Sequence, residues 1–296
     1  MRAVGMAAVA PAALALAGGI VAVVVGERSP SAAAPFARTL NIKCRSPALG
    51  GTLPAAVYLP AGYQSGSTRY PVIYFLHGLP AGPSSYKTNA FVADAVATSG
   101  HRAIVVAPQG ARNPNSDPEY LDGGPTEDWP IAIARDLPRC IDSRLRTIPT
   151  RDGRALVGLS AGGFGAFNVG LRHLATFAAV ESWSGYFAAT DPTGLRTLSL
   201  GSERANRKAR VPRGPHLDAK LTRRPTFIAF FAGRQDTRFL TANMMLDEAF
   251  SEHHIEHIFK TYQGGHSESL WRQKAPLWLG LALNHLAGGR ALGGRR

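Results

Sequence analysis

A serine hydroxyl is a poor nucleophile at neutral pH. It attacks a carbonyl only when a base takes its proton and a third group orients that base. Residues Gly158-Leu159-Ser160-Ala161-Gly162 read G-x-S-x-G. In a nucleophile elbow the serine sits on a sharp strand-to-helix turn, and its flanking positions stay small because the two backbones pass closely. Here the apolar run "RALVGLS" precedes the motif and the helix-like "GGFGAFNVGLRHL" follows it, so the required context is present. Such a turn pushes the hydroxyl outward at a helix N-terminus, where amide groups favour negative charge.

The partners of an elbow serine follow in the order acid, then histidine. "FIAFFAGRQD" supplies Asp236 just beyond an apolar run. Asp191 is the alternative, but it lies in an irregular segment, so Asp236 is preferred; a helix-capping aspartate is its non-catalytic reading. "TYQGGHSESLW" places His266 in a glycine turn before the last helix pattern. His253, His254 and His257 crowd a helix end and read as surface residues, and His285 falls within the terminal helix. An oxyanion needs two backbone donors. The Ala161 amide is one candidate. The other lies in His77-Gly78-Leu79-Pro80: proline has no N–H, which points to Leu79. His77 either braces this loop or merely ends a strand, and both readings stay open. His77, Trp129, Trp183 and Phe187 are the candidate pocket residues.

These groups need a scaffold. The runs 71–78, 103–110, 154–160, 176–185, 226–233 and 257–265 are near-continuously apolar, as strands buried on both faces are. "NIKC" and "LPAAVYLP" read as short strands ahead of them. Helical patterns lie between: "FVADAVATSG", "DWPIAIARDLPRCIDSRL", the post-serine segment, "RFLTANMMLDEAFSEHH" and "SLWRQKAPLWLGLALNHLAG". Alternation of this kind predicts a doubly wound, mostly parallel α/β sheet with helices on both faces. Residues 187–224 break the rhythm and read as a basic loop or small cap, and 111–130 as a second long loop at a strand's carboxyl end, the edge where ligands bind in open α/β sheets.

The chain has 296 residues, 45% hydrophobic and 18% charged, which suits one folded domain and not disorder. Residues 37–288 are expected to form that domain, with a basic tail at 289–296. Residues 3–25 carry no charge, so 1–36 read as an export signal, cleaved or retained as a membrane anchor. Export would permit a bridge between Cys44 and Cys140, but the spacing does not show that they meet, and two separately buried thiols are preferred. The net charge of +13 fits an arginine-rich soluble surface; a polyanionic partner is the alternative. No nucleic-acid-binding signature is present.

With these residues in view, the chain resembles the esterase D family of α/β-hydrolases, which includes S-formylglutathione hydrolases, feruloyl esterases, enterochelin esterases and mycobacterial mycolyltransferases. The resemblance covers roughly residues 40–286 and rests on "YFLHG", on "EDWPIAIARDLPRCIDSRLRT" leading into "ALVGLSAGGFGA", and on "AGRQD" and "YQGGHSESLW". It implies an α/β-hydrolase fold, a triad of Ser160, Asp236 and His266, and oxyanion donors at Leu79 and Ala161. Many relatives carry methionine where this chain has Ala161; the smaller side chain leaves the amide intact and widens the acyl pocket. The first glycines of the S-formylglutathione hydrolase oxyanion loop are not matched closely, and an exported enzyme would not meet that cytosolic substrate; both points argue against that activity. The expectation is an exported serine carboxylesterase acting on a small-molecule or cell-envelope ester, with no metal or organic cofactor. An extracellular acyltransferase with the same triad is the first alternative, and a non-catalytic cell-envelope binding protein the second.

Overall fold

The computed structural model describes residues 38–111, 119–190 and 196–288. The export segment 1–36 with its apolar stretch 3–25, the tail 289–296 and Asp191 lie outside the described residues. Among those described, no helix is long and apolar enough to cross a membrane.

Eight strands form one sheet: β1 (Arg38–Ser46), β2 (Gly51–Leu59), β3 (Val72–Leu76), β4 (Ile104–Pro108), β5 (Arg154–Leu159), β6 (Ala179–Trp183), β7 (Phe227–Gly233) and β8 (Ile258–Tyr262). Their order is β1-β2-β4-β3-β5-β6-β7-β8. The β1–β2 and β2–β4 pairings are antiparallel, and every pairing from β4 through β8 is parallel. β1 and β2 are nine residues each, longer than the short strands read from sequence.

Each central strand is buried on both faces, with period-two alternation. Tyr74, Leu156, Val180 and Phe230 point into one core, and Phe75, Val157, Trp183 and Phe231 into the other. The first core is closed by a helical stretch made of α2 (Trp129–Ile131), a π-helical turn (Ala132–Asp136) and α3 (Leu137–Asp142), together with α4 (Ala161–Gly170), α6 (Pro215–Arg223) and α7 (Leu240–Glu252). The second is closed by α1 (Ala90–Thr98) and α8 (Glu268–Asn284). The described residues of 187–224 include the helices α5 (Glu203–Lys208) and α6, and an Ala188–Arg210 bridge that folds the segment back on itself.

The chain crosses from β3 to β4 on one side and then to β5 on the other. Such a reversal opens a crevice at the strands' carboxyl ends. Register aligns those ends: Leu76 pairs with Gly158, Leu159 with Trp183, and Trp183 with Phe231.

One expectation is corrected here. Cys44 on β1 and Cys140 on α3 are joined in a disulfide across a separation of 96 residues and are not separate thiols. β1 packs against α3, and this contact is what brings the two side chains together.

Candidate active site

The elbow is a set of close backbone approaches. A Cβ on Gly158 would lie 2.1 Å from the Gly162 carbonyl oxygen, and a Cβ on Gly162 would lie 2.0 Å from the Leu76 carbonyl oxygen. Only glycine fits either position. Between them Ser160 holds φ 54° and ψ −122°, a strained conformation for a residue with a side chain. Its own amide donates to the Trp183 carbonyl at 2.8 Å, which ties the turn to β6. Ala161 is the first residue of α4, so its N–H points out of the helix and not into its ladder.

Asp236 follows β7 and is 1% exposed. One carboxylate oxygen accepts the amides of Arg238 (3.1 Å) and Phe239 (3.0 Å). The other accepts from Nδ1 of His266 at 2.9 Å. The opposite ring nitrogen, Nε2, lies 3.0 Å from Ser160 Oγ. A carboxylate can only accept, so Nδ1 carries the proton and Nε2 presents its lone pair to the hydroxyl. Serine, imidazole and carboxylate thus form one hydrogen-bonded series, assembled from the ends of β5, β7 and β8.

The loop after β3 is held by His77. The Gly110 amide donates to its Nε2 at 2.9 Å, which leaves the proton on Nδ1, and Nδ1 donates to the Gly78 carbonyl at 2.9 Å. Burial holds this imidazole below its ordinary pKa, the Gly78 contact only partly opposing it, so the neutral ring is the favoured form. Tyr120 adds a bond from its hydroxyl to the His77 carbonyl at 2.8 Å. With the Gly78 carbonyl turned to the ring, the Leu79 N–H across the same peptide faces the opposite way. A Cβ on Gly78 would lie 3.0 Å from Ser160 Cβ, so the loop runs directly beside the elbow. Of the two readings of His77, the brace is the one its contacts match.

Residues 46–276 match the family model Esterase, described as "Putative esterase". The chain belongs to the Esterase family. Esterase Rv1288 of Mycobacterium tuberculosis is 34% identical to this family member over 139 residues, covering 47% of this chain and 30% of that one. The chain therefore spans less than a third of the length of the mycobacterial relatives it matches. A ferulic acid esterase structure superposes with TM-score 0.69 at 21% identity, covering 84% of this chain and 98% of that one. An S-formylglutathione hydrolase from Agrobacterium tumefaciens gives 0.66 at 19% identity, covering 86% and 100%. These two share the α/β-hydrolase fold with this Esterase-family chain.

Not every expected site residue of this esterase-family chain reaches the crevice. Trp183 is fully buried on the opposite face of the sheet, between Phe75 and Trp278, with its indole N–H on Glu181. Only its backbone carbonyl serves the elbow. Trp129 is 3% exposed and packs against Tyr120, and Phe187 packs on Phe167 and Phe230 in the core. All three side chains are buried, Trp129 and Phe187 in the first core and Trp183 in the second. Other contributors were not singled out in sequence. Phe239 and Trp271 flank the His266 ring, with centroids at 5.1 and 5.0 Å. Gly110 and Tyr120 hold His77. Among the described residues, no group of three or more His, Cys, Asp or Glu is arranged to hold a metal ion.

Proposed function

We propose that the protein is a serine carboxylic ester hydrolase that works through an acyl-enzyme on Ser160. The observation that carries this reading is His266, with Nε2 3.0 Å from the Ser160 hydroxyl and Nδ1 2.9 Å from buried Asp236. Ser160 Oγ attacks the ester carbonyl as Nε2 takes its proton. The imidazolium that forms is stabilised by the Asp236 carboxylate, and the Ala161 and Leu79 amides receive the developing oxyanion. The proton passes from Nε2 to the leaving alkoxide, the C–O bond breaks and the alcohol departs. Water then gives a proton to Nε2 and its oxygen to the acyl carbon, and collapse of the second intermediate returns the proton to Ser160 and frees the acid.

The same acyl-enzyme can pass its acyl group to an alcohol, which makes acyl transfer the second reading. Ester product formed on added glycerol separates it from hydrolysis. The esterase names borne by the matched mycobacterial relatives and the ferulic acid esterase structure support an ester substrate. A substrate in the cell envelope or outside it follows if the chain is exported. The Cys44–Cys140 bridge supports export, because disulfides persist in oxidising compartments.

The test is covalent labelling by a fluorophosphonate probe. Intact-mass analysis is expected to find one adduct on Ser160, absent from Ser160→Ala. Labelling that survives this substitution would sink the assignment.

A further inference from the structure

His266 has a mechanical problem that Asp236 alone does not solve. It sits in a coil after β8 directly behind Gly264 and Gly265, and Gly264 holds φ 127°. The backbone there supplies little stiffness. The bond to Asp236 fixes one atom, Nδ1, and a ring held at one atom can still tilt and carry Nε2 off the serine. Surfaces against the ring must stop that tilt.

Two aromatic rings provide those surfaces. Phe239 meets the imidazole at 67° and Trp271 at 90°. Phe239 is positioned by the same turn as Asp236, since its amide donates to that carboxylate. Trp271 stands on the first turns of α8, and its indole N–H donates to Ser184 Oγ at 3.0 Å. Ser184 is itself fully buried, holds φ 48° and is anchored by its amide to the Phe231 carbonyl at 2.7 Å. A buried serine in a left-handed conformation is strained, and strain of this kind persists where the surroundings demand it. The residue just before it, Trp183, is the one whose carbonyl holds the Ser160 amide.

We propose that Ser184 is a positioning residue for the reaction: its hydroxyl fixes the Trp271 indole, and the indole keeps His266 Nε2 on Ser160. Consecutive residues at the end of β6 then hold both halves of the reacting pair, Trp183 by its carbonyl the nucleophile and Ser184 through Trp271 the base. This rests on the reading of His266 as general base.

The test is a double-mutant cycle on the full chain, with Ser184→Ala, Trp271→Phe and the pair, read as kcat and KM on p-nitrophenyl acetate. Trp271→Phe keeps a smaller aromatic ring and removes the N–H together with part of the indole surface, and Ser184→Ala removes only the acceptor. Each single change is expected to lower kcat roughly 10-fold with KM within about 2-fold, as loss of alignment does and loss of ground-state binding does not. The double variant is expected to match Trp271→Phe, because the bond that Ser184→Ala removes is already gone there. A kcat within about 2-fold of wild type in the singles, a change confined to KM, or losses that multiply in the double variant would each overturn the proposal. If Ser184→Ala does not fold, Ser184→Gly, which suits the positive φ and also lacks the hydroxyl, takes its place in the cycle. His266→Ala, measured in parallel, separates the two levels. If it retains turnover, the catalytic reading itself fails. If it abolishes turnover while the cycle is flat, only the positioning role fails.

Discussion

The Gly110 amide donates to His77 Nε2 at 2.9 Å, a contact that places the ring's proton on Nδ1. A protonated His77 would turn an acceptor into a donor facing a donor. Burial already disfavours the charged ring and holds the pKa down. In the unfolded chain the same imidazole titrates at its ordinary value, so between the two pKa values the unfolded state binds more protons. The stability contribution is therefore complete above the unfolded pKa and is lost as pH falls through it toward the folded one. His173, also held down chiefly by burial, acts in the same direction. Thermal unfolding followed from pH 7.5 to 5 is expected to show the Tm of wild type falling relative to that of His77→Gln, which isolates this contribution from groups such as Glu181 that act in the opposite direction. An equal slope in that variant would remove His77 from the account.

Asp236 is expected to matter for chemistry more than for the fold. Asn keeps the shape and one carbonyl oxygen to accept the Arg238 and Phe239 amides. Its NH2 group would face His266 Nδ1, favouring the tautomer whose proton sits on Nε2, the wrong side for taking one from Ser160. Asp236→Asn should lower kcat by about 10⁴-fold, as loss of a triad carboxylate does, while far-UV circular dichroism stays unchanged. A loss of less than about 10-fold would move the acid elsewhere.

Much of this was legible because the glycines and the apolar runs report on backbone approach. Gly158 and Gly162 are required by contacts near 2 Å, so the motif and its strand–helix context carried geometric information. Asp236 and His266 were readable as the polar residues just past strand ends. What stayed hidden was facing. A strand buried on both sides is apolar throughout, so nothing in "AAVESWSG" tells which core receives Trp183. Helix α5 has no buried residue and hence no apolar period to detect. The Cys44–Cys140 pairing depends on where β1 meets α3, which no spacing encodes. The roles of Ser184 and Trp271 depend on a contact across 87 residues.

Glu181 on β6 is fully buried, and burial raises its carboxyl pKa well above the ordinary value; the Trp183 indole and the Ala282 backbone offset this only in part. An acid with a raised folded pKa loses stability with rising pH. The unfolded side chain ionises first, and between the two pKa values the folded state holds the extra proton. Each pH unit in that window costs about 1.4 kcal/mol. Glu181→Gln, which never ionises, should therefore gain on wild type as pH rises from 5 to 8 in urea unfolding. A constant difference across that range would mean that Glu181 does not titrate on unfolding there.

The Cys44–Cys140 bridge closes a long loop between an edge strand and a helix, away from the ends of β5, β7 and β8 that carry the triad. Chain-entropy reasoning gives about 4–5 kcal/mol for a loop of this length, because the reduced unfolded chain has far more conformations open to it. That is a large share of the stability of an ordinary domain. The double substitution Cys44→Ser and Cys140→Ser should lower the unfolding free energy in urea by that order. Turnover of p-nitrophenyl acetate at 25 °C should stay near wild type, since β1 and α3 contribute none of Ser160, Asp236 and His266. The bridge lies in the first core, beside the Ser46 and Ala48 contacts to Asp136, so the loss should appear as earlier global unfolding and not as a changed KM. Two titratable thiols in the oxidised native protein, or an unfolding free energy indifferent to the substitutions, would show that the bridge is not a structural element of this chain.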